Sequence, residues 1–511
     1  MRVAVVIACL VAALAQAPRW LRVAQREHYL PGATTRFAAR WWRCRPENVA
    51  LLVASVATAV LAAFAPVIGL TTALVTVVAP IGLSLRGRTS RLAWTRRLET
   101  LAAVVGVVDV GLFAAAAFAP GGAAVAAFLC LAQPLVLDLG LVVTRPFERA
   151  GAQRYVRTAE AKLRAVHPVT VAITGSYGKT TTKVYLRHLA AGARSVLASP
   201  ASFNNTGGLS RTLNEHLVPG TEVFIAEMGT YGPGEIRDLC AWVRPDVAAI
   251  VNIGPVHLER MGSLDGIVAA KAEIFSQDAT RTAVLNVDAH GLAHLADQLQ
   301  VGGRRVIRVS TTDREADVAV VPAEVPGQLE VLVAGEARHR VAATAPPANV
   351  AAALGIVVAL DLPLDVVLPR LDTLPQSEHR QQVVVSPTGI TVIDNTFSSN
   401  PASAATSLAL LRDHTKPDRR AVVVTPGMVE LGAVEDEENE RFGAAIAGVA
   451  TDLLVVGRTN RRALRRGAAG RGRGLAVLDV DTRDEAVAWV RSNLREGDAV
   501  LYENDLPDHF P

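Results

Sequence analysis

Hydrophobic residues are distributed unevenly along this chain, and their pattern changes near residue 150. Before that point they form long runs at 3–17, 49–85 and 101–143, and the second run carries no charged side chain. Since a helix needs about 20 apolar residues to cross a bilayer, the second and third runs each have room for two spans. With one helix from the first run, the pattern predicts a helical membrane domain over residues 1–150 with about five transmembrane helices.

Arginines lie between the apolar runs and set the expected orientation. Seven occur between residues 19 and 45, five occur between 86 and 97, and two follow the last run. Because arginine-rich loops stay on the cytoplasmic side, we expect a multi-pass protein of the cytoplasmic membrane, in contact with the lipid bilayer, with a cytoplasmic C-terminal part. The competing interpretation of residues 1–17 is a cleaved signal peptide, since Ala15-Gln16-Ala17 resembles a cleavage site.

Beyond residue 150, β-branched runs alternate with helical stretches. The candidate strands are Val169–Ile173, Val223–Glu227, Val247–Val251, Ala283–Asn286, Gly389–Asp394, Arg420–Thr425, Leu453–Val456 and Ala499–Tyr502. This alternation predicts a mainly parallel nucleotide-binding sheet, followed by a second, Rossmann-like α/β domain. The expected boundaries are 151–345 for the central domain, 346–380 for a helix and linker, and 381–511 for the C-terminal domain.

Composition narrows the class of protein. A length of 511 residues suits about three domains. The net charge of +4 arises with many arginines placed between apolar runs, which indicates membrane topology and no nucleic-acid partner. The four cysteines are scattered without a CxxC pair, so neither a disulfide framework nor a zinc site is expected.

The segment Val169 to Lys183 reads VTVAITGSYGKTTTK: a β-branched run, a glycine loop and the start of a helical stretch. This order of elements wraps backbone N–H groups around the phosphates of a nucleotide. Lys179 is expected to reach the β- and γ-phosphates of ATP, and the Thr180 hydroxyl to bind Mg²⁺. The loop has the shorter TGxxGKT form, because Ile173 occupies the position of the usual first glycine.

Polar side chains follow later strands, at the edge where ligands bind in open α/β sheets. Glu227 ends one candidate strand, His257 follows another, and Lys271 lies on the next helical stretch. A carboxylate and an imidazole are suitable metal ligands, and ATP-dependent bond formation needs metal ions to neutralise phosphate charge. Taken singly, Glu227 could equally cap a helix and His257 could pack in a loop. Their occurrence together with TGxxGKT favours a metal site.

Five successive segments resemble motifs of the Mur ligase family: TGSYGKTTTK, FNNTGG, EMGTYGPGEI, NIGPVHLERMGSLDGIVAAKAEIF and VLNVD. Farther along, Arg380 before a strand, DNTFSSNP and TPGMVELG resemble the C-terminal domain of that family. The resemblance covers residues 169–511 and is strongest to members that add D-alanyl-D-alanine to the UDP-muramoyl tripeptide of peptidoglycan. The N-terminal domain of the family, which grips the UDP-muramoyl end, is not recognisable.

The resemblance implies roles for individual residues. Nucleotide contacts are implied for Thr174, Gly175, Ser176, Tyr177, Gly178, Lys179, Thr180, Thr181, Asn286, Asp288, Asn349, Arg380 and Asp394. Substrate contacts are implied for Asn204, Asn205, Thr206, Asn400 and Pro401. Catalytic roles are implied for Lys179, Glu227, His257 and Lys271. Metal contacts are implied for Thr180, Glu227, His257 and, if it is carbamylated as in family members, Lys271.

The resemblance also implies an activity, an ATP-dependent and ADP-forming amide ligase that proceeds through an acyl-phosphate. The expected substrates are a cell-envelope precursor carboxylate and an amino acid or dipeptide, with D-alanyl-D-alanine addition to a UDP-muramoyl peptide as the first candidate. The missing N-terminal domain favours a variant that acts on a lipid-linked or polymeric acceptor, as in poly-γ-glutamate synthesis. A membrane scaffold with a degenerate nucleotide-binding domain is the alternative from another class. The presence of Lys179, Thr180, Glu227, His257 and Lys271 argues against it.

Overall fold

The computed structural model describes most of the chain. The described residues are 1–84, 92–256, 258–325, 327–343, 345–375, 379–397, 399–469 and 474–506. His257, one of the residues singled out from the sequence, lies outside them.

Among the described residues, the elements before residue 167 are helices, and strands and helices alternate after them. The helices are α1 Arg2–Arg26, α2 Ala33–Arg43, α3 Pro46–Leu61, α4 Gly69–Val78, α5 Arg96–Phe118, α6 Gly122–Leu131, α7 Gln133–Val166, α8 Lys179–Ala190, α9 Thr206–His216, α10 Glu235–Val243, α11 Leu258–Met261, α12 Leu264–Ala272, α13 Leu292–Val301, α14 Pro347–Ala359, α15 Leu364–Val367, α16 Pro401–His414, α17 Glu435–Ala447, α18 Arg461–Ala469 and α19 Arg483–Asn493. The strands are β1 Val169–Thr174, β2 Val196–Ala198, β3 Val223–Glu227, β4 Val247–Ile250, β5 Thr282–Asn286, β6 Arg305–Ser310, β7 Val318–Pro322, β8 Gln328–Val333, β9 Glu336–Ala342, β10 Gln382–Val385, β11 Thr391–Asn395, β12 Ala421–Thr425, β13 Asp452–Val456, β14 Ala476–Val480 and β15 Ala499–Glu503.

The chain forms two compact units. The first contains Met1–Gly151, Gly457–Thr459 and Leu506–Pro511, and the second contains Ala152–Val456 and Asn460–Asp505. The phosphate loop and both sheets therefore belong to the second unit.

In the first unit, α1 and α5 are long and apolar enough to cross a membrane. Two bent pairs pass the same test when each is counted as one span: α2 with α3, at 112°, and α6 with the first part of α7, at 74°. By length and composition the described residues therefore contain two helices that could span a membrane, or up to four spans if each bent pair counts as one. Taken singly, α4 and α6 have ten residues each, about half of what a bilayer needs. The number of spans stays a prediction.

Buried polar side chains satisfy the ends of the broken helices. Arg19 of α1 donates to the carbonyls of Val77 and Leu83, at 3.0 and 3.1 Å, where α4 ends. Asp138 of α7 accepts hydrogen bonds from the backbone N–H and the hydroxyl of Thr35 at the start of α2, at 2.9 and 2.6 Å. Helix ends buried in an apolar bundle need such partners, since their terminal N–H and C=O groups have none within the helix.

The larger sheet has the strand order β2-β3-β1-β4-β5-β6-β7-β8-β9. Neighbouring strands from β2 to β7 run parallel, whereas β7, β8 and β9 pair antiparallel. A mainly parallel sheet is thus confirmed, with an antiparallel extension that the sequence pattern did not predict. Because β1 and β4 lie side by side at its centre, the loops that follow them meet at one edge.

Alternate residues of β1 pack on opposite faces of this sheet. Ile173 belongs to the hydrophobic cluster that α8 and α14 complete, and Ala172 belongs to the cluster on the other face, with α9, α10 and α13. Gly355 lets α14 approach closely, since a Cβ there would lie 2.5 Å from a methyl carbon of Val309. Both faces are covered, which explains why the parallel strands read as continuous apolar runs.

The second sheet has the order β10-β11-β15-β12-β13-β14, with only the β10–β11 pair antiparallel among its described neighbours. The second α/β domain is therefore confirmed. Each of the eight strands expected from the sequence is present, with its bounds moved by at most two residues. The sequence pattern did not predict β2, β6, β7, β8, β9, β10 and β14.

Candidate functional site

The glycine loop joins the buried end of β1 to the first turn of α8. Gly178 has φ +84°, a conformation that favours glycine, and its carbonyl accepts a hydrogen bond from Asn349 Nδ2 at 2.8 Å. Asn349 lies at the start of α14 and also donates to Thr182 Oγ1, at 2.9 Å. Asn349 therefore links the phosphate loop to α14, which packs on the sheet.

The remaining loop residues pack against the segments that follow β3 and β4. The Thr174 hydroxyl donates to the Met228 carbonyl at 2.8 Å, and the Ser176 hydroxyl lies 3.0 Å from both the N and the O of Gly254. Tyr177 packs so closely on Gly254 that its ring occupies the place of a Cβ there. The structure thus brings together the loop and residues 252–256 after β4, as expected from their positions at strand ends.

Lys179 folds back over the loop and has no acidic partner in direct contact among the described residues. Its Nζ donates to the carbonyls of Gly175 and Ser176, at 2.7 and 3.2 Å. Burial lowers the pKa of Lys179, Glu227 opposes this effect, and Arg380 adds to it. A lysine amine beside a glycine loop at the N-terminus of a helix suits a phosphate anion.

Glu227, the last residue of β3, is buried beside the start of α8. Its Oε1 accepts hydrogen bonds from Thr180 Oγ1 at 3.1 Å and from Asn204 Nδ2 at 3.3 Å. Burial alone raises the pKa of Glu227, but Lys183 and Lys179 more than offset this, so the pKa lies below its ordinary value. The carboxylate is ionised at neutral pH and is suited to bind a divalent cation.

The sequence analysis did not single out Lys183, which the structure places in this site. Its Nζ lies 2.9 Å from Glu227 Oε2, and both side chains are almost completely buried. A lysine four residues after Lys179, on the face of α8 that points into the sheet, was the available signal. Sequence alone does not show that this lysine is buried.

Lys271 of α12 is buried, with 5% of its surface exposed. Burial lowers the pKa of Lys271 well below its ordinary value, and the charge of Lys179 lowers it further. The lowered pKa favours the neutral amine, which is the form that reacts with electrophiles.

Arg380 reaches the phosphate loop from the beginning of the C-terminal domain. Its Nη2 lies 3.3 Å from Thr180 Oγ1, and its guanidinium stacks 4.0 Å from the ring centre of Phe397. Burial lowers the pKa of Arg380, and Glu227 opposes the effect. Phe397, from the DNTFSSNP segment, is a second contact that sequence reasoning did not assign.

Other residues expected at the site are engaged in local structure. Asp394 accepts hydrogen bonds from Thr396 Oγ1 at 2.6 Å and pairs with His379 Nδ1 at 2.7 Å. Asn400 caps α16 and precedes Pro401, the first residue of that helix. These bonds hold the segment after β11 in place, and the substrate contacts implied for it stay a prediction.

The residues expected near adenine and ribose, and those of FNNTGG, have similar local roles. Asp288 accepts a hydrogen bond from Ser310 Oγ at 2.6 Å, and Asn286 Nδ2 donates to the Val251 carbonyl at 3.1 Å. Asn205 caps α9, which begins at Thr206, so Asn204 is the member of FNNTGG that contacts Glu227. Thr181 is buried on α8.

Cations outnumber anions at the phosphate loop. The positive side chains are Lys179, Lys183, Lys271 and Arg380, and the interacting charges that the structure describes include one carboxylate, Glu227. No group of three or more His, Cys, Asp or Glu side chains suited to a metal ion occurs among the described residues. A metal held by Glu227 and Thr180 would therefore take its other ligands from phosphate oxygens and water, which is usual for Mg²⁺.

Comparison with known proteins covers both α/β domains. The family described as Mur ligase middle domain matches residues 173–356, and the family described as Mur ligase, glutamate ligase domain matches residues 379–502.

Curated relatives match over much of their length. The UDP-N-acetylmuramoyl-tripeptide–D-alanyl-D-alanine ligase of Mycobacterium leprae is 31% identical over 443 residues, covering 76% of this chain and 84% of that protein. The Escherichia coli enzyme of the same name is 27% identical over 344 residues, covering 65% of this chain and 73% of that protein. The crystal structure of the MurF ligase of Thermotoga maritima in complex with ADP has a TM-score of 0.59 at 24% identity, covering 69% of this chain and 80% of that one.

Proposed function

Because this chain belongs to the Mur ligase family of ATP-dependent ligases, we propose that it joins D-alanyl-D-alanine to the free carboxylate of a UDP-muramoyl-tripeptide-type precursor. The relatives from Mycobacterium leprae and Escherichia coli carry this activity in their names. The observation that carries the proposal is the set of four basic side chains around the glycine loop, which outnumber the single carboxylate described there, Glu227. Such an excess of positive charge is suited to a triphosphate.

The chemistry requires activation of a carboxylate, which is a poor electrophile. The γ-phosphate of ATP passes to a carboxylate oxygen, ADP leaves, and the amine then attacks the acyl carbon with loss of phosphate. Lys179 and Arg380 are positioned to stabilise charge on the transferred phosphoryl group, since both contact the loop or Thr180. Exclusion of water from the site protects the acyl-phosphate from hydrolysis.

The residues beside Thr180 fit Mg²⁺. Glu227 offers an ionised oxygen 3.1 Å from the Thr180 hydroxyl, so both oxygens face one position. Bound there, Mg²⁺ would neutralise phosphate charge. His257 stays a predicted ligand of a second ion.

Lys271 fits the carbamylation that the family resemblance implies. A neutral amine attacks the carbon of CO₂, an N–C bond forms and one proton is released, which leaves an anionic carbamate. The lowered pKa of Lys271 favours this reaction, because only the unprotonated amine is nucleophilic. The carbamate would supply a second anion to a site that is otherwise rich in cations.

We also propose that the first unit lies in the cytoplasmic membrane. The exposed large apolar residues include Val3, Ile7, Val11 and Leu14 on α1, and Val49, Val53, Val56 and Val60 on α3. Their spacing of three and four residues forms one stripe along each helix, which suits contact with lipid. The arginine pattern then favours a cytoplasmic catalytic unit.

The helical unit favours a second candidate for the acceptor. The relatives from Mycobacterium leprae and Escherichia coli match 76% and 65% of this chain, and the residues before 173 lie outside both family matches. A membrane-embedded unit at this position suits an acceptor carried on a lipid, with the same amide-forming reaction. Activity on a lipid-linked precursor and inactivity on the soluble one would favour this candidate.

Phosphate release by the full chain in lipid nanodiscs tests the function. We expect release that requires both the UDP-muramoyl tripeptide and D-alanyl-D-alanine, with the amide product found by mass spectrometry. Lys179→Met should abolish it. Lys162→Met is the matched control, because Lys162 Nζ donates to the Asn214 carbonyl away from the loop, at 2.7 Å. Absence of amine-dependent release with soluble and lipid-linked acceptors alike would refute the ligase proposal.

A reporter fused to the C-terminus tests the membrane orientation. We expect the signal of a cytoplasmic reporter and none from a reporter that matures only outside the cytoplasm. The opposite result would overturn the orientation without affecting the proposed reaction.

A further inference from the structure

Lys183 lies one turn beyond Thr180 on α8 and is 3% exposed. It makes two contacts: an ion pair with Glu227 Oε2 at 2.9 Å and a hydrogen bond to the Ala201 carbonyl. Its ammonium group is therefore held between β3 and the segment that follows β2. Burial of an ammonium group costs desolvation free energy, which the ion pair with Glu227 and the hydrogen bond to the Ala201 carbonyl offset.

The two oxygens of Glu227 consequently face different partners. Oε2 is turned toward Lys183, whereas Oε1 is turned toward Thr180 Oγ1 and Asn204 Nδ2, at 3.1 and 3.3 Å. The side chain of Glu227 is 1% exposed, so little space is available for the carboxylate to rotate. One oxygen alone remains on the side of the phosphate loop.

Lys183 also supports the third partner of this carboxylate. The Ala201 carbonyl that it contacts lies three residues before Asn204, and Ala201 has a positive φ of 40°. The Asn204 carbonyl in turn accepts a hydrogen bond from the Gly229 N–H at 2.8 Å. Lys183 thus fixes both Glu227 and the segment that brings Asn204 to it.

We propose that Lys183 is a positioning residue that restricts Glu227 to binding a metal ion through Oε1 alone, and that it thereby favours Mg²⁺ over Ca²⁺. This inference rests on the proposed role of Glu227 as a metal ligand. Mg²⁺ demands octahedral geometry with short bonds, whereas Ca²⁺ accepts six to eight ligands and readily takes both oxygens of one carboxylate. A carboxylate with one oxygen in a 2.9 Å ion pair with an ammonium group would have to give up that pair to offer the second bond.

The test compares two ions in binding, without turnover. Thermal unfolding of the full chain with saturating ADP is followed while Mg²⁺ or Ca²⁺ is titrated, and the half-saturating concentrations give a Ca²⁺/Mg²⁺ ratio. In Lys183→Met we expect this ratio to fall at least threefold from the wild-type value, because Oε2 becomes free. Lys162→Met, which removes a lysine that caps α9, should leave the ratio unchanged.

A smaller change of the ratio in folded Lys183→Met, even with both ions weakened, would overturn the inference, since Lys183 would then contribute charge or stability only. If wild-type protein shows no dependence on either ion, the proposed metal site itself fails. A structure of the wild-type chain with ADP and Mn²⁺ gives a readout that needs no variant. Anomalous density bonded to Oε1 alone supports the proposal, and density bonded to both oxygens of Glu227 contradicts it.

Discussion

The carboxyl group of Glu503, at the end of β15, should make the stability of the C-terminal domain depend on pH. The residue is completely buried. Asn395 Nδ2 lies 2.9 Å from both carboxyl oxygens, and Ser399 Oγ donates to Oε1. Burial raises the pKa of Glu503 from an ordinary value of 4.5 to about 7, although the hydrogen bonds from Ser399 and Asn395 oppose the shift.

The size and sign of the effect follow from this pKa. Each unit of pKa difference between the folded and unfolded chain is worth about 1.4 kcal/mol, so the shift of Glu503 amounts to about 3 kcal/mol. Between pH 4.5 and about 7 the folded chain holds one proton more than the unfolded chain. The free energy of unfolding therefore falls as pH rises, and the contribution present below pH 4.5 is lost once pH has passed about 7.

Glu503→Gln removes the titrating group and keeps its size. Urea titrations read by hydrogen exchange at the amides of β11 and β15 give the unfolding free energy of this domain at pH 5 and pH 8. We expect the wild type to lose about 2.5 kcal/mol relative to Glu503→Gln over this interval, because part of the effect lies below pH 5. Glu437→Gln, at an exposed carboxylate, should follow the wild type. Parallel pH dependence of wild type and Glu503→Gln would refute the reasoning.

Three further changes test the loop, the arginine and the core. Gly178→Ala forces an L-residue to φ +84° with its Cβ 2.5 Å from Asn349 Nδ2, so calorimetry should show ADP binding weakened at least about tenfold. Phe397→Leu removes the stacking partner of Arg380, worth about 1 kcal/mol, and should lower kcat about fivefold, whereas Phe397→Trp should retain it. Leu354→Ala, at a completely buried position of α14, should destabilise the catalytic unit by about 2–5 kcal/mol in denaturant titrations.

Several of the strands that the sequence predicted are buried on both faces. All five residues of β3 and all five of β12 are buried, so each strand reads as a β-branched or apolar run, which in β3 ends at Glu227. By contrast, β9 buries only Val341 of its seven residues, and its sequence EARHRVA carries no apolar signal. Such strands form because β8 offers a pairing edge, which is information from tertiary structure that a local pattern does not contain.

The site was predictable to the extent that its residues sit in motifs at strand ends. Thr180 and Glu227 were expected to meet, and they do, at 3.1 Å, because β1 and β3 are parallel neighbours. The sequence did not identify Lys183 of the site, or Glu503 of the C-terminal domain, for the same reason. Each is a charged residue buried beside a polar partner, and a charged residue in the sequence looks the same whether it is buried or solvated.

The buried charges of the site explain both why it suits a triphosphate and why these charges cost free energy when no nucleotide is bound. Burial lowers the pKa of Lys179, Lys271 and Arg380, so the protein by itself stabilises the charged form of each of these groups less well than water does. Proteins tolerate such poorly stabilised charges at sites where a bound ligand supplies the opposite charge. A bound triphosphate would restore the missing anion, and the stability gained on binding grows with ligand concentration. The same basic side chains that favour a bound triphosphate therefore carry an electrostatic cost when no nucleotide is bound.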